Sequence, residues 1–596
     1  MIEKKDAFEY QNLDERRTVS EEDANRKLDK FMLMETLRGK LRVDRSPYDV
    51  LQREIERILD PHFYIFDMSN SGYPNFSNVL TSSKPLAAFD DMNAGIQSGT
   101  VPAEQEWFRI QLQDAESPLA EQDNVQDYLH TVTKILQNTL IGSNFYQQVP
   151  AFIRSGSRYL TAFMYMERDD DEFVRFTTFP MGSFYVSNNY RGRADTLCRE
   201  FQLTVRQIVE QFCTDPVTGK IDLDNASDTV RNYWADPKNH EYRLNVINFI
   251  FPNPEYDPKK AKRDQRFKKY SVNYYEMTNN NSDRILYEGG SDFFPGYCWR
   301  WYRQPSDAYG VDGPGQKARG DILELYESIR QMLNAIGKVI EPPMIGDTSV
   351  AGLPLGTTPA FLSVVPGGVK DGKFGPAYQI QPDIKAIREL INDLKTDIEK
   401  ICMADIFRML ANREKGEMTA TEVLQRIKEN TNILSPVFGG LNNEWLQPLI
   451  KDLYFLLLTE GKLPMAPKEM HGVPLKIDMV STVAIALKMG EITAYKEFAT
   501  FIEQYAQADP NIKDVVDSDE MARKVSQSLN ISQTVIRGED KVQALRQQRA
   551  QQQAQQQAAE RAPQIAKGVK DLAQAPTDGN SALSQLMGQQ GQGGQQ

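Results

Sequence analysis

The sequence predicts an α+β fold, predominantly helical, on three observations. Apolar residues recur at three- and four-residue spacing through long segments near 20–59, 121–136, 321–339 and 383–401. Between residues 159 and 288 the pattern changes to short runs of β-branched and aromatic residues divided by turn formers. A Gly- and Pro-rich stretch, 342–382, separates the last two helical patterns.

Along the chain, Leu28, Phe31, Leu37 and Leu41, then Leu51, Ile55, Ile58 and Leu59, predict two helices with a turn at Ser46-Pro47. A third helix begins near Glu121 and carries Val125, Leu129, Val132, Ile135 and Leu136, after which Gly156 and the residues around it signal strands. Tyr159 to Met166 and Phe173 to Phe179 flank the acidic run Asp169-Asp170-Asp171-Glu172, which reads as an antiparallel pair with an acidic turn, followed by Ser183 to Val186. Thr196 to Leu203 is a strand running into a helix at Thr204 to Phe212, and strands follow at Leu244 to Phe251, Tyr270 to Glu276 and Arg284 to Glu288.

A long helix with a narrow apolar seam starts at Asp321 and must stop at Glu341-Pro342-Pro343. A second starts at Asp383 and is expected to reach Ala411, which at 1.5 Å per residue is about 43 Å. So narrow a seam on so long a helix suits packing between copies side by side, as in a ring, better than burial in one core. The stretch between them holds β-favouring pieces at Ala360 to Val365 and Tyr378 to Ile380, and is expected to form a small module at the tip of the helical hairpin. After a polar link, Asn412 to Met418, the capping box Thr419-Ala420-Thr421-Glu422 starts a helix that runs, with interruptions at Pro436 and Pro448, to about Thr459. Leu463 to Ile477 reads as an extended linker and Val480 to Ile536 as shorter helices. Beyond Lys541 a Gln/Ala stretch with helix propensity but no apolar stripe gives way to a Gly/Gln tail expected to be disordered.

Composition narrows the function. The chain has 596 residues, enough for several domains, with 40 % apolar and 25 % charged residues. With 82 acidic against 69 basic residues the formal charge is −13, which repels a phosphate backbone, so any DNA contact must be local. The four cysteines show no C-x-x-C spacing and suggest neither a zinc ribbon nor a disulfide framework. The N-terminal residues lack the apolar core of a secretory signal, and the longest apolar run, Leu453 to Leu458, is too short to span a bilayer, so no membrane association is expected.

No phosphate-binding loop is present; Gly313-Pro314-Gly315-Gln316-Lys317-Ala318 lacks its spacing and its hydroxyl. His62, His130, His240 and His471 never fall at metal-ligand spacing. The Asp169–Glu172 carboxylates are either an ordinary turn or a two-cation site. Lys259, Lys260, Lys262, Arg263, Arg266, Lys268 and Lys269, interleaved with Phe267 and Tyr270, are either a solvated loop or a local nucleic-acid contact. The link at Asn412 to Met418 is either a plain helix–helix turn or, in a ring, an inward projection. There Arg413 and Lys415 would touch phosphates while Glu414 and Glu417 keep the contact weak. No metal, cofactor or catalytic residue is expected.

Taken in order, several motifs resemble the portal, or head-to-tail connector, proteins of short-tailed phages over about residues 20–540. They are Asn144-Phe145; Gly156; Asp195-Thr196-Leu197-Cys198-Arg199-Glu200-Phe201-Gln202-Leu203-Thr204; Arg300-Trp301 followed by Tyr309-Gly310, Gly313-Pro314 and Gly320-Asp321; Met418-Thr419-Ala420-Thr421-Glu422-Val423; Glu444-Trp445-Leu446-Gln447-Pro448-Leu449-Ile450; and Gly461-Lys462-Leu463-Pro464.

The resemblance implies a non-enzymatic subunit with wing, helical stem, small β clip and helical crown. Twelve copies would form a ring at one capsid vertex of the virion, made in the host cytoplasm, with a channel for double-stranded DNA packaging and ejection. Residues 1–310 would then be N-terminal helices and wing, 311–341 the first stem helix, 342–382 the clip and 383–411 the second stem helix. Residues 412–418 would be the tunnel loop, 419–479 a long helix and return to the wing, 480–540 the crown and 541–596 a Gln/Ala-rich extension and tail. The tunnel loop would present Asn412, Arg413, Glu414, Lys415, Gly416 and Glu417 to DNA. The clip, through Ile345, Leu353, Phe361, Val364, Val365, Lys370, Lys373 and Phe374, would dock terminase and later a tail adaptor. Major capsid and scaffolding proteins are the other implied partners. The rival readings are a packaging enzyme, which the missing phosphate loop opposes, and a DNA-binding adaptor using Lys259–Lys269.

Overall fold

The computed structural model describes residues 21–61, 66, 82–114, 119, 122–215, 218–224, 226–277, 285–305, 307–341, 344–346, 374–376, 383–405, 436–480, 482–506, 515–528 and 541–556. The predicted α+β class holds, with helices flanking a central block of strands.

Helix α1, Glu21–Leu59, is continuous, against the expected break at Ser46-Pro47. Pro47 deletes one backbone donor, but buried Arg45 pins the helix just ahead of it, donating to the Phe184 carbonyl at 2.7 Å, pairing with Asp49 at 2.7 Å and lying 4.0 Å over the Tyr185 ring. Helices α2, Lys84–Thr100, and α3, Asp123–Gly142, follow, with the short strand β1, Phe108–Leu112, between them. Helix α4, Phe145–Tyr159, lies where the sequence suggested a turn to strands at Gly156. Gly156 serves close packing instead: a Cβ there would collide with the Trp299 ring. The chain leaves α4 through Leu160, at φ +66°.

Strands β2, Thr161–Asp169, and β3, Phe173–Phe179, form the expected antiparallel pair. β9, Gly296–Arg300, joins the free edge of β2 and completes a three-stranded sheet. A second, five-stranded antiparallel sheet runs in chain order through β4, Phe184–Asn188, β5, Ala194–Thr204, β6, Arg243–Pro252, β7, Tyr270–Glu276, and β8, Ile285–Ser291. Thr204 ends β5 and starts α5, Val205–Ile208, with a reciprocal capping box to Gln207, and α6, Asp228–Trp234, follows.

Both faces of the five-stranded sheet are covered. Along β6, Val246 and Ile250 face the main core, while Ile247, Phe249 and Phe251 face a second cluster beneath α1 that includes Met34 and Leu41. The N-terminal part of α1 is clamped to the sheet electrostatically. Arg26 bonds both oxygens of Glu288 at 3.0 Å, and Lys30 reaches the same carboxylate at 2.7 Å. Burial works against that charge, yet the two cations hold the Glu288 carboxyl down at about 2.

After α7, Pro314–Lys317, helix α8 spans Arg319–Ile340, and a short antiparallel ribbon of β10, Met344–Gly346, with β11, Phe374–Pro376, precedes α9, Ile384–Ile401. α9 breaks at Ile401, after 18 residues and about 27 Å, and residues 406–411 of the expected run to Ala411 lie outside the described residues. Cys402 is fully buried and Met403 turns the chain at φ +52°, which ends the helix although no glycine or proline marks the place.

Residues 436–441 are helical, and the helix widens to π geometry at Asn442–Leu446 and continues as α10, Gln447–Thr459. The wide turn sits just ahead of Pro448, whose ring would otherwise press on the carbonyl four residues earlier. The expected extended linker contains strand β12, Leu475–Met479, paired with β1. Helices α11, Thr482–Tyr505, and α12, Ser518–Ser528, follow, the first longer than the sequence suggested. Residues 541–556 are helical, tied to α12 by Arg546 on Asp519 at 2.6 Å.

Candidate subunit interface and channel segment

The α8/α9 hairpin is rooted in the body and outgrows it. At its base Ile322, Leu325 and Tyr326 of α8 and Ile391, Leu394 and Ile398 of α9 are buried, and the Tyr326 hydroxyl donates to the Ile58 carbonyl at 3.2 Å. Asp383 caps α9, accepting from the Lys385 and Ala386 amides, each at 3.1 Å. Towards the tip the same seam continues without cover: Leu333 is 57 % exposed, Ile340 71 % and Leu390 44 %. Burying such a side chain contributes roughly 1.5–3 kcal/mol, so this seam is the surface of the hairpin with most to gain from a neighbour. The outer residues of α9 carry balanced charge, Lys385, Arg388, Lys395 and Lys400 against Glu389, Asp393, Asp397 and Glu399.

Of the expected clip contacts, Ile345 sits in β10 opposite Gly375 and Phe374 in β11 opposite Gly346. Leu353, Phe361, Val364, Val365, Lys370 and Lys373 lie outside the described residues, as do the tunnel residues Asn412, Arg413, Glu414, Lys415, Gly416 and Glu417. The described residues on either side of that stretch are anchored in the body, with Ala404 buried before it and Val437 and Phe438 buried after it.

The basic cluster is a hydrogen-bonded loop between β6 and β7. Asn253 donates to the Arg266 and Lys268 carbonyls at 2.7 and 2.8 Å. Arg266 pairs with Asp264 at 2.7 Å, which holds that carboxyl below its usual range, and Lys268 pairs with Asp292 at 3.1 Å. Lys260 packs over Phe267, Lys269 reaches over Tyr270, and Lys259, Lys262 and Arg263 point to solvent. Two of the seven cations are therefore already paired, which fits the solvated-loop reading. The acidic run is likewise a turn: the Asp169 carboxylate accepts the Asp171 and Glu172 amides at 2.8 and 3.1 Å. Among the described residues no group of three His, Cys, Asp or Glu could hold a metal ion.

The glycines at 310–315 also have a structural role. A Cβ on Gly310 would strike the Leu160 carbonyl oxygen, and one on Gly315 the Arg158 carbonyl oxygen, so these glycines seat α7 against the corner between α4 and β2. Gly315→Ala is expected to cost about 1–3 kcal/mol through the forced backbone shift; denaturant unfolding checks this, and an unchanged midpoint contradicts it.

The body that carries the hairpin is knit by buried charges far apart in sequence. Asp60, at the end of α1, accepts from Arg154, Arg158 and the Tyr159 hydroxyl. Arg300 of β9 grips Glu444 in the π turn at 2.8 and 3.2 Å while donating to Asn188 at 2.8 Å and to the Gly192 carbonyl at 3.2 Å. It thus joins both larger sheets to the π turn ahead of α10. Sequence reading placed Arg300 and Glu444 in separate motifs, and nothing in either signalled the pairing.

One pair titrates. Burial pushes the Asp452 carboxyl of α10 up to about 7, against the Tyr297 hydroxyl that donates to it at 3.2 Å and the nearby Lys451 and Lys269. In the unfolded chain it titrates near 3.9, so folding takes up a proton in between. Its contribution is full below about pH 4 and is lost as pH rises through about 7. Asp452→Asn still accepts the tyrosine hydroxyl and should gain on the wild type by about 2–4 kcal/mol between pH 4 and 8. Unfolding free energies across that range check it; parallel profiles contradict it.

The family described as bacteriophage head to tail connecting protein matches residues 33–536. The chain is 31 % identical over 498 residues to the portal protein of Salmonella phage epsilon15, covering 83 % of this chain and 86 % of that one. It is 30 % identical over 551 residues to the probable portal protein of Bordetella phage BPP-1, covering 92 % and 96 %. With the motif order of the sequence and a helical hairpin rising from a mixed sheet body, these matches place the chain in the bacteriophage head-to-tail connecting protein family.

Proposed function

We propose that the chain is the portal subunit of a phage, a non-enzymatic component of the virion that assembles as a ring of twelve around a channel for double-stranded DNA. The observation that carries the ring is the α8/α9 seam, apolar along its length and uncovered beyond its base in a single copy. Neighbouring hairpins side by side would bury it. On this reading α8 and α9 are the stem and 342–382 the clip that docks terminase and later a tail adaptor. Residues 412–418 are the tunnel loop, 480–540 the crown, and the sheets with the first helices the wing that meets capsid and scaffolding proteins. A formal charge of −13 suits a conduit, because neutralising many phosphates would pin the duplex.

Arg413→Ala with Lys415→Ala, or deletion of Lys415-Gly416, should leave assembly intact and impair DNA translocation or retention. Packaged DNA per particle measures this, and normal yield and retention overturn the assignment of the loop.

A further inference from the structure

The turn between β4 and β5 is a rigid cationic tip that the function above leaves unused. Tyr190 is 89 % exposed, and the Arg191 guanidinium stacks 5.1 Å over its ring. Asn189 locks the backbone by accepting from the Arg191 and Arg193 amides at 2.9 and 3.1 Å, with Gly192 at φ +72°. Arg303 buttresses the tip by donating to the Gly192 carbonyl. Arg191 and Arg193 are exposed and pair with no carboxylate among the described residues, while Glu444 is engaged by Arg300. A preorganised tyrosine with arginines at low entropic cost is the chemistry of an interface anchor.

The complementary surface is on the same chain, at the β2–β3 turn of the three-stranded sheet. Arg300 touches Gly192 and is the register partner of Thr161, so the cationic tip sits where β2 begins. The acidic turn sits where β2 ends, roughly 26 Å along the strand. There Asp170, Asp171 and Glu172 are exposed, while Arg168 pairs with Glu460 at 3.0 Å and Lys462 lies over the Phe173 ring. Opposite charges held beside the two ends of one strand cannot meet within a chain. Between successive copies they can, and such head-to-tail contacts close rings.

We infer that the Tyr190–Arg193 tip of each copy docks on the Asp169–Glu172 turn of the next. This rests on the ring assembly proposed above and assigns one of its contacts.

The test is charge reversal in the full chain, read by mass photometry across a salt series. R191E/R193E alone, or D170K/D171K alone, should lower the salt concentration at which rings dissociate by about half or more. A chain carrying all four substitutions should recover the wild-type value, because every interface is again complementary. As a geometric check, Y190C/D171C under mild oxidation should give a ladder of disulfide-linked oligomers on a non-reducing gel. Wild-type rings that tolerate either reversal, or reversals that the four-substitution chain does not rescue, overturn this contact and leave the ring standing. Rings unaffected by R191E/R193E but with weakened DNA binding would assign the tip to phosphate instead and overturn the contact. A wild-type chain that forms no ring overturns both readings.

Discussion

Arg300→Ala is expected to destabilise the chain by about 3–5 kcal/mol. The guanidinium is almost wholly buried and bridges Glu444, Asn188 and Gly192. Truncation leaves a carboxylate that is 17 % exposed with Arg303, 3.7 Å away, as its one cation among the described residues. Against a stability of roughly 5–15 kcal/mol for a typical domain, this is a large share. Arg300→Lys keeps the charge but not the fork and should lose an intermediate amount. The coupling is checked by adding Glu444→Ala: because the two side chains act on one another, the double variant should lose less than the sum of the singles. Additive losses in denaturant unfolding would show that the pair does not tie the sheets to the π turn.

Trp445→Ala should cost a similar amount, about 3–5 kcal/mol, by a different route. The indole is fully buried, its ring 4.3 Å from that of Phe152 and 6.0 Å from that of Phe145, so alanine opens a cavity where α4 meets the π turn. Trp445→Phe should cost less than about 1.5 kcal/mol. Phenylalanine refills most of the volume, and it removes an indole N–H that is buried with no acceptor among the described residues. Equal losses for the two variants, measured by thermal or denaturant unfolding, would place the cost in something other than the cavity.

What the sequence disclosed follows from how local each signal is. β3 and β7 match their predicted ends because each is a short β-branched and aromatic run closed by turn residues. α8 was legible from its seam and from Pro342-Pro343 beyond it. α4 was not, since Pro150 and Gly156 lie inside it and imitate helix breakers, while the reason for Gly156 is a tryptophan 143 positions away in sequence. β1, β9 and β12 are five residues each, and their partners are distant in the chain, so tertiary pairing rather than local propensity forms them. The end of α9 at Ile401 was hidden because a methionine, not a glycine, adopts positive φ there.

Of the candidate site, the seam on the hairpin was readable as periodicity, and the structure adds where its cover ends. The tunnel residues lie outside the described residues. The Arg300–Glu444 grip spans 144 positions and leaves no local pattern. The cationic tip had only the turn chemistry of Asn189-Tyr190-Arg191-Gly192 to mark it, and its meaning depends on the acidic turn lying at the opposite end of β2.

The central claim is that copies of this chain close into a ring around a channel. Single-particle electron microscopy of the purified protein, with mass photometry of the same sample, tests it most directly. Rings of about twelve copies with an open axial channel and the α8/α9 hairpins packed side by side along it are the expected result. A monodisperse monomer, or an oligomer without a channel, would contradict it.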